Sequence, residues 1–237
     1  MLESFNIYQY WGQGKKKMPA FIKTIYQNNL EICKKYNINL ILIDDENVYN
    51  YITPHPRFKK LAYNHQSDLV RFYILHKYGG FWFDTDIILI KNLNLLYEEI
   101  NKYEIMLDIE FDNKIGCASL YIQKDSICSN FCINYINNVL DNQEIIGWGD
   151  IGPKTVSQLY NQHSSLILLN NFEKVKNGCN FICWFEHPGI NKQNWFFTTQ
   201  QEAEIKAKLL KENTSCYYLI TWTIYRKNDI SSNLINM

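Results

Sequence analysis

No stretch of this 237-residue chain reaches the roughly 18 uninterrupted apolar residues that a membrane-crossing helix needs. The opening residues, MLESFNIYQYWGQGKKK, also lack the apolar h-region of a signal peptide. The expectation is a soluble, cytoplasmic protein, sitting in the host cytoplasm or the virion if its source is viral. Charge of one sign is missing too. The 24 basic and 24 acidic residues give a formal net charge of zero, which argues against a nucleic-acid or other polyanionic partner. The basic run Lys15-Lys16-Lys17 reads as a solvated loop. The seven cysteines form no C-x-x-C knuckle; Cys128 and Cys132, like Cys179 and Cys183, stand four apart. An odd number without a secretion signal points to reduced thiols, buried as small hydrophobes rather than bound to zinc. With no repeat and no low-complexity linker, residues 1–237 read as one domain.

What the chain does have is core material: 46% hydrophobic residues, 15% of the total aromatic. Phe5 to Trp11 reads as a strand ending in Gly12-Gln13-Gly14, followed by a helix with Pro19 at N1 that runs to about Tyr36. Asn39 to Ile43 is a second strand. Strand, helix, strand over this length is a βαβ unit, so these two strands should be parallel. In an open α/β sheet the ligand edge lies at the strand C-termini, where Trp11 falls. Arg57 to Asn64 reads as a helical turn, Leu95 to Asn101 as a helix, and Glu104–Ile109 and Cys117–Gln123 as strands. Ser126 should cap a helix reaching about Leu140. A helix over Lys154–Tyr160, an amphipathic helix over Thr198–Asn213 and a strand over Cys216–Tyr225 complete the pattern.

The most informative segment is QSDLVRFYILHKYGGFWFDTDIILIKNL, residues 66–93. Ser67 and Asp68 are good helix starters, and the apolar run ends at Gly79-Gly80, where glycine can adopt the positive φ of a helix C-terminus. Aromatic and β-branched residues, Phe81–Phe83 and Ile87–Ile90, then flank Asp84-Thr85-Asp86 with extended segments. In an extended backbone, residues i and i+2 leave on one side with Cα atoms roughly 7 Å apart, so Asp84 and Asp86 should face one cavity. Carboxylates ringed by Phe, Trp and Ile need a positive partner, and Mg²⁺ or Mn²⁺, which bridges protein carboxylates to phosphates, suits them. Asp68 and Arg71, at i and i+3, share a helix face as an ordinary pair or as part of the same pocket.

The same string resembles the central motif of DXD-motif sugar-binding-region glycosyltransferases. These are glycosyltransferase family 32 and the capsular-polysaccharide-synthesis type, with the large clostridial glucosylating toxins as distant relatives. About 30 residues carry the likeness: the Ser-Asp pair, an arginine three residues on, the double glycine and Asp-x-Asp, in that order. The resemblance implies an α/β fold of GT-A type, a Rossmann-like mixed, mainly parallel sheet flanked by helices. It also implies a hexosyltransferase-type enzyme moving a sugar from a nucleoside-diphosphate donor, a UDP-sugar foremost, to a hydroxyl of a glycan or other acceptor. Retention of anomeric configuration is implied too. Asp86, with Asp84, would hold Mn²⁺ or Mg²⁺, while Ser67, Asp68, Arg71, Gly79, Gly80 and Asp84 would line the donor.

IYQYWGQG resembles the N-terminal motif of the same families, placing Tyr10 and Trp11 on the nucleotide side, although Trp11 also reads as a core cap. In Gly147-Trp148-Gly149-Asp150-Ile151-Gly152-Pro153 the resemblance sets Asp150 and Trp148 towards the acceptor, with Asp150 a catalytic candidate; aspartate is also a common N-cap. YYLITWTIYR aligns with a final strand where relatives carry histidine-x-tryptophan. Here Thr221 stands at the histidine and Trp222 follows it, so Thr221, Thr223, water or, less directly, His187 could complete the metal site. Two other classes fit the residues. One is a catalytically inactive nucleotide- or glycan-binding module, for which the missing histidine argues. The other is a metal-dependent phosphohydrolase, which also uses Asp-x-Asp but has Thr or Val where Ile88 stands.

Overall fold

The computed structural model describes residues 5–89, 93–109, 115–170, 179–183 and 218–222; for 20, 21, 95, 99, 170, 179–183 and 218–222 it describes the backbone alone. The expected βαβ unit opens the chain: β1 (Asn6–Tyr10), α1 (Ala20–Lys35) and β2 (Asn39–Ile43), with β1 and β2 parallel. Pro19 is the N-cap of α1 rather than its first helical residue. A short helix α2 (Val48–Tyr51) and a 3₁₀ turn (Phe58–Lys60) lead into α3 (Tyr63–Tyr78) and then β3 (Gly80–Phe83) and β4 (Ile87–Leu89). Next come α4 (Leu93–Ile100), β5 (Ile105–Ile109), β6 (Ile115–Ile122), α5 (Ile127–Asn142) and α6 (Pro153–His163). Three strands close the described order, β7 (Ile167–Asn170), β8 (Cys179–Cys183) and β9 (Tyr218–Trp222). The sequence pattern does not anticipate β7 or β8, and the expected helix over Thr198–Asn213 lies outside the described residues.

Six strands form the main sheet in the order β2-β1-β3-β6-β5-β7, and β6 alone runs against the others. The sheet is therefore mixed and mainly parallel, as expected. Its central strands are apolar on both faces because helices cover both. Tyr8, Trp82 and Leu120 pack with Leu69, Phe72, Ile136 and Val156 of α3, α5 and α6 on one side. Ile7, Phe81, Phe83 and Tyr121 pack with Cys33, Leu93 and Leu96 of α1 and α4 on the other. Period-2 alternation thus separates two apolar layers rather than an inside from an outside.

α3 begins four residues earlier than its Ser-Asp signal suggests. Ala62 is the N-cap, and Ser67 and Asp68 lie within the helix instead of capping it. In the added turn Gln66 is buried, accepting from the Tyr10 hydroxyl and donating to Leu61 O, which ties that turn to the core. Its C-terminus is as expected: Gly79 takes φ 67° and its N–H donates to Leu75 O at 2.8 Å. Gly80, at φ 107°, opens β3 so close to β1 that a Cβ would lie 2.5 Å from Asn6 O.

β4 leaves the main sheet. It joins a second, three-stranded sheet ordered β4-β9-β8, and its other edge is satisfied by a side chain. Asn29 of α1 donates to Ile87 O at 2.7 Å and accepts from Leu89 N–H at 2.8 Å, imitating a neighbouring strand. Cys33, Cys117, Cys128 and Cys132 are buried free thiols, and burial pushes the Cys33 and Cys128 thiols up to about 12. That agrees with the expected role as small hydrophobes. Among the described residues no helix is long and apolar enough to cross a membrane.

Candidate active site

Asp84-Thr85-Asp86 is where the chain crosses from the main sheet to the small one, and it does so in a tight turn: Ile87 N–H donates to Asp84 O at 3.0 Å. The expectation that Asp84 and Asp86 share a face through extended i, i+2 geometry is therefore corrected, because the backbone between them is not extended. The period-2 rule applies one step earlier instead. Trp82 and Asp84 leave on the same side of β3, and the indole N–H donates to Asp84 Oδ1 at 2.9 Å. Asp86 is 6% exposed.

Arg71 organises the cluster. Its guanidinium, 3% exposed, donates from Nη1 to Asp68 Oδ1 at 2.8 Å and from Nη2 to Asp84 Oδ1 at 2.7 Å. Nη1 also touches Cys117 Sγ on β6, and the guanidinium lies 5.2 Å from the Trp82 ring centroid. Burial alone would depress the pKa of this arginine. Cys117, Asp84 and Asp68 outweigh it and hold the pKa above the usual value, so the group stays cationic. The i, i+3 pair of Asp68 and Arg71 is thus part of the same cluster as Asp84, through two hydrogen bonds that α3 and β3 bring together. The positive partner that Asp84 requires is supplied in the first instance by the protein itself.

α6 begins against this cluster. An ideal Cβ on its N-cap, Gly152, would lie 2.6 Å from Asp68 Cγ and from both its carboxylate oxygens. Only a glycine lets the loop lie flat on Asp68, and the partial positive charge of the helix start then faces a carboxylate. Gly152→Ala is expected to displace one of the two and cost about 1–3 kcal/mol, roughly 2–12 °C in melting temperature at this chain length. Thermal melts would check this, and an unchanged Tm would mean that the loop yields freely.

The remaining expected residues divide. Trp11 follows β1 and Asp84 follows β3, and these neighbours are parallel, so both stand at the same edge of the sheet. Trp11 Nε1 is buried with no acceptor among the described residues. Tyr10 is 6% exposed, and its hydroxyl lies 2.8 Å from Asp45 Oδ1, just past β2, and 2.7 Å from Gln66 Oε1 on α3. Gly79 and Gly80 sit at the opposite end of β3 from Asp84 and shape the helix-to-strand join. Ser67 is half-buried on α3. Asp150 closes its own loop, accepting from Lys154 Nζ at 2.5 Å and Gly147 N–H at 2.6 Å; Lys154 foremost holds its carboxyl below the usual range. Trp148, in the same loop, is 74% exposed.

Thr221 and Trp222 end β9, which runs antiparallel to β4 with Ile220 opposite Ile87. Continuing that register by one residue sets Thr221 opposite Asp86 along the backbone. The side chains of Thr221 and Trp222, like all of His187 and Thr223, lie outside what is described. Sequence reasoning missed Trp82, which the period-2 rule finds, and Cys117, which comes from a distant strand and carries no local signal; it names Gly152 in the glycine-rich loop but not its contact with Asp68.

A model of the capsular polysaccharide synthesis protein family matches residues 2–143, a span that includes Trp11, Asp68, Arg71, Asp84 and Asp86. No curated protein matches the chain. Among solved structures it is similar to a glycosyltransferase involved in the glycosylation of the major capsid of PBCV-1, at 8% identity and TM-score 0.55 over 92% of this chain and 93% of that one. The apo form of the glycosyltransferase GlyE of Streptococcus pneumoniae TIGR4 is similar at 12% identity and TM-score 0.50, over 93% of this chain and 55% of that one. At such identities the likeness is one of fold, and the fold is that of the GT-A glycosyltransferases. With more than half its length matched, the chain belongs to the capsular polysaccharide synthesis protein family.

Proposed function

We propose that the protein is a metal-dependent glycosyltransferase that takes a sugar from a UDP-sugar or related nucleoside-diphosphate donor to a hydroxyl of a glycan or other acceptor, with retention of configuration. The observation that carries this reading is the Asp68–Arg71–Asp84 arrangement around a buried guanidinium at the C-terminal edge of β3, the same sheet edge as Trp11 and within the family match. Asp84 and Asp86 offer hard oxygens on one turn, the donor type that Mg²⁺ or Mn²⁺ takes when phosphates and water fill the other positions. Among the described residues no three His, Cys, Asp or Glu side chains are placed to hold a metal ion by themselves. Asp86 would hold the ion, with Asp84 and Thr221 as further candidates, and the ion would stabilise the charge that grows on the departing diphosphate.

The protein's own side chains position and orient. Asp68 and Asp84, fixed by one guanidinium, would accept hydrogen bonds from donor hydroxyls, and Trp11 would stack on the base. Asp150 and Trp148, on the loop that rests on Asp68, would border the acceptor. No enzyme nucleophile is needed for retention by front-face attack.

A panel of UDP-, GDP- and dTDP-sugars with Mn²⁺ tests the donor class, because a ligand that binds only the folded chain raises its melting temperature. The expected result is the largest rise with a UDP-sugar, followed by turnover when an acceptor hydroxyl is present. Binding without turnover would point to an inactive module, and phosphate release from a simple ester to a phosphohydrolase. Trp11→Ala should weaken UDP binding by about 1–2 kcal/mol, the scale of base stacking on an aromatic ring. Unchanged affinity, read by titration, would return Trp11 to the core.

A further inference from the structure

Beneath the acidic turn, on the face away from Arg71, the sheet carries two polar side chains in an otherwise apolar layer. Gln9 on β1 and Ser119 on β6 are both 0% exposed. Phe83 pairs with Ser119 across β3 and β6, and the β1–β3 register, continued one residue past Tyr8 and Trp82, sets Gln9 on its other side. All three therefore lie in one row on the face built from Ile7, Phe81, Phe83, Ile87 and Leu89. Gln9 Nε2 reaches Asp84 O at 3.4 Å, the same carbonyl that receives Ile87 N–H and closes the turn. Gln9 Oε1 and Ser119 Oγ are buried with no partner among the described residues. A buried, incompletely satisfied amide is costly, and such groups concentrate where function demands them.

We propose that Gln9 is a positioning residue for the acidic turn: by holding the Asp84 carbonyl from β1, with Ser119 completing the polar row, it fixes how Asp84 and Asp86 are presented to a divalent cation carrying a nucleoside diphosphate. Asn29 pins the far side of the same segment at Ile87 and Leu89, so the crossing is held at both ends and Gln9 sets its sheet-side end. This inference rests on the glycosyltransferase reading for its ligand and adds the residue that tunes the site. Gln9 touches neither the cation nor the donor; it acts through the backbone of Asp84, as outer groups do when they orient metal-binding carboxylates.

The test is Gln9→Met, which keeps the side chain's length and removes its amide. UDP binding is titrated by tryptophan fluorescence with and without MnCl₂, alongside thermal melts. The expected result is a metal-dependent gain in UDP affinity that is 10–100-fold smaller than in the unmodified protein, the range for outer-group changes. Metal-free UDP binding and Tm should stay unchanged. A metal-dependent gain within twofold of the unmodified protein would overturn the proposal. So would equal weakening with and without Mn²⁺ together with a lowered Tm, which is the signature of a purely structural amide. If Gln9→Met does not fold, Ser119→Ala takes its place, with a smaller loss of the same metal-dependent gain as support and no loss as refutation. If the unmodified protein itself shows no metal-dependent gain, the glycosyltransferase reading fails and this one with it, an outcome distinct from failure of the variant alone.

Discussion

Asp86→Ala is expected to abolish Mn²⁺-dependent sugar transfer and donor hydrolysis while leaving the fold intact. The carboxylate is 6% exposed at the point where β3 gives way to β4, in a turn closed by the backbone bond from Ile87 N–H to Asp84 O. Its loss should fall on the reaction. A group that stabilises charge developing on the leaving diphosphate contributes about 10²–10³-fold or more to kcat, and a metal ligand stands at the upper end of that range. Turnover measured at saturating donor, with circular dichroism as the control for folding, decides the matter. Undiminished turnover in a folded variant would remove Asp86 from the metal site.

Arg71→Met should have the opposite profile, a large effect on the fold itself. One guanidinium serves Asp68, Asp84 and Cys117 inside the protein, so removing it leaves two largely buried carboxylates facing each other without their common partner. Breaking a buried pair from one side costs about 3–5 kcal/mol, which at this chain length is roughly 6–20 °C in Tm. Adding Asp84→Asn to the Arg71→Met variant should recover part of the loss, because one uncompensated charge is then gone; the double-mutant cycle measures the coupling. Lysine should rescue poorly, since it is a point charge and cannot fork between α3 and β3. A Tm within about 2 °C of the unmodified protein would show that the carboxylates find other partners.

Much of the frame was readable from residue order. The βαβ opening, the parallel pairing of β1 with β2, the glycine that ends α3 and the capping serine of α5 each depend on neighbours within a few residues, and each stands in the structure as expected. Ser126 indeed accepts from Ser129 N–H at 3.1 Å. The start of α3 differs because Ser67 and Asp68 carry a strong local capping preference, whereas Gln66 in the turn before them is held by hydrogen bonds to Tyr10 and Leu61 O. β7 escaped because four residues at a sheet edge offer too short a pattern to separate from a loop.

The candidate site divides along the same line. The sequence alone determined which side chains could do the chemistry: two aspartates at a strand exit, an aspartate and an arginine one helical turn apart, and a tryptophan at the end of the first strand. Residue order along the chain gives their places, and the resemblance to DXD-motif glycosyltransferases singles them out. The tertiary structure alone decided how they are engaged. Arg71 bridges two elements rather than one helix turn, Cys117 touches it from β6, Gly152 lies against Asp68 from the start of α6, and Tyr10 bonds to Asp45 and Gln66. Such contacts depend on how α3, β3, β6 and α6 pack, and packing is a balance of burial summed over the whole core, which no single stretch of the chain encodes.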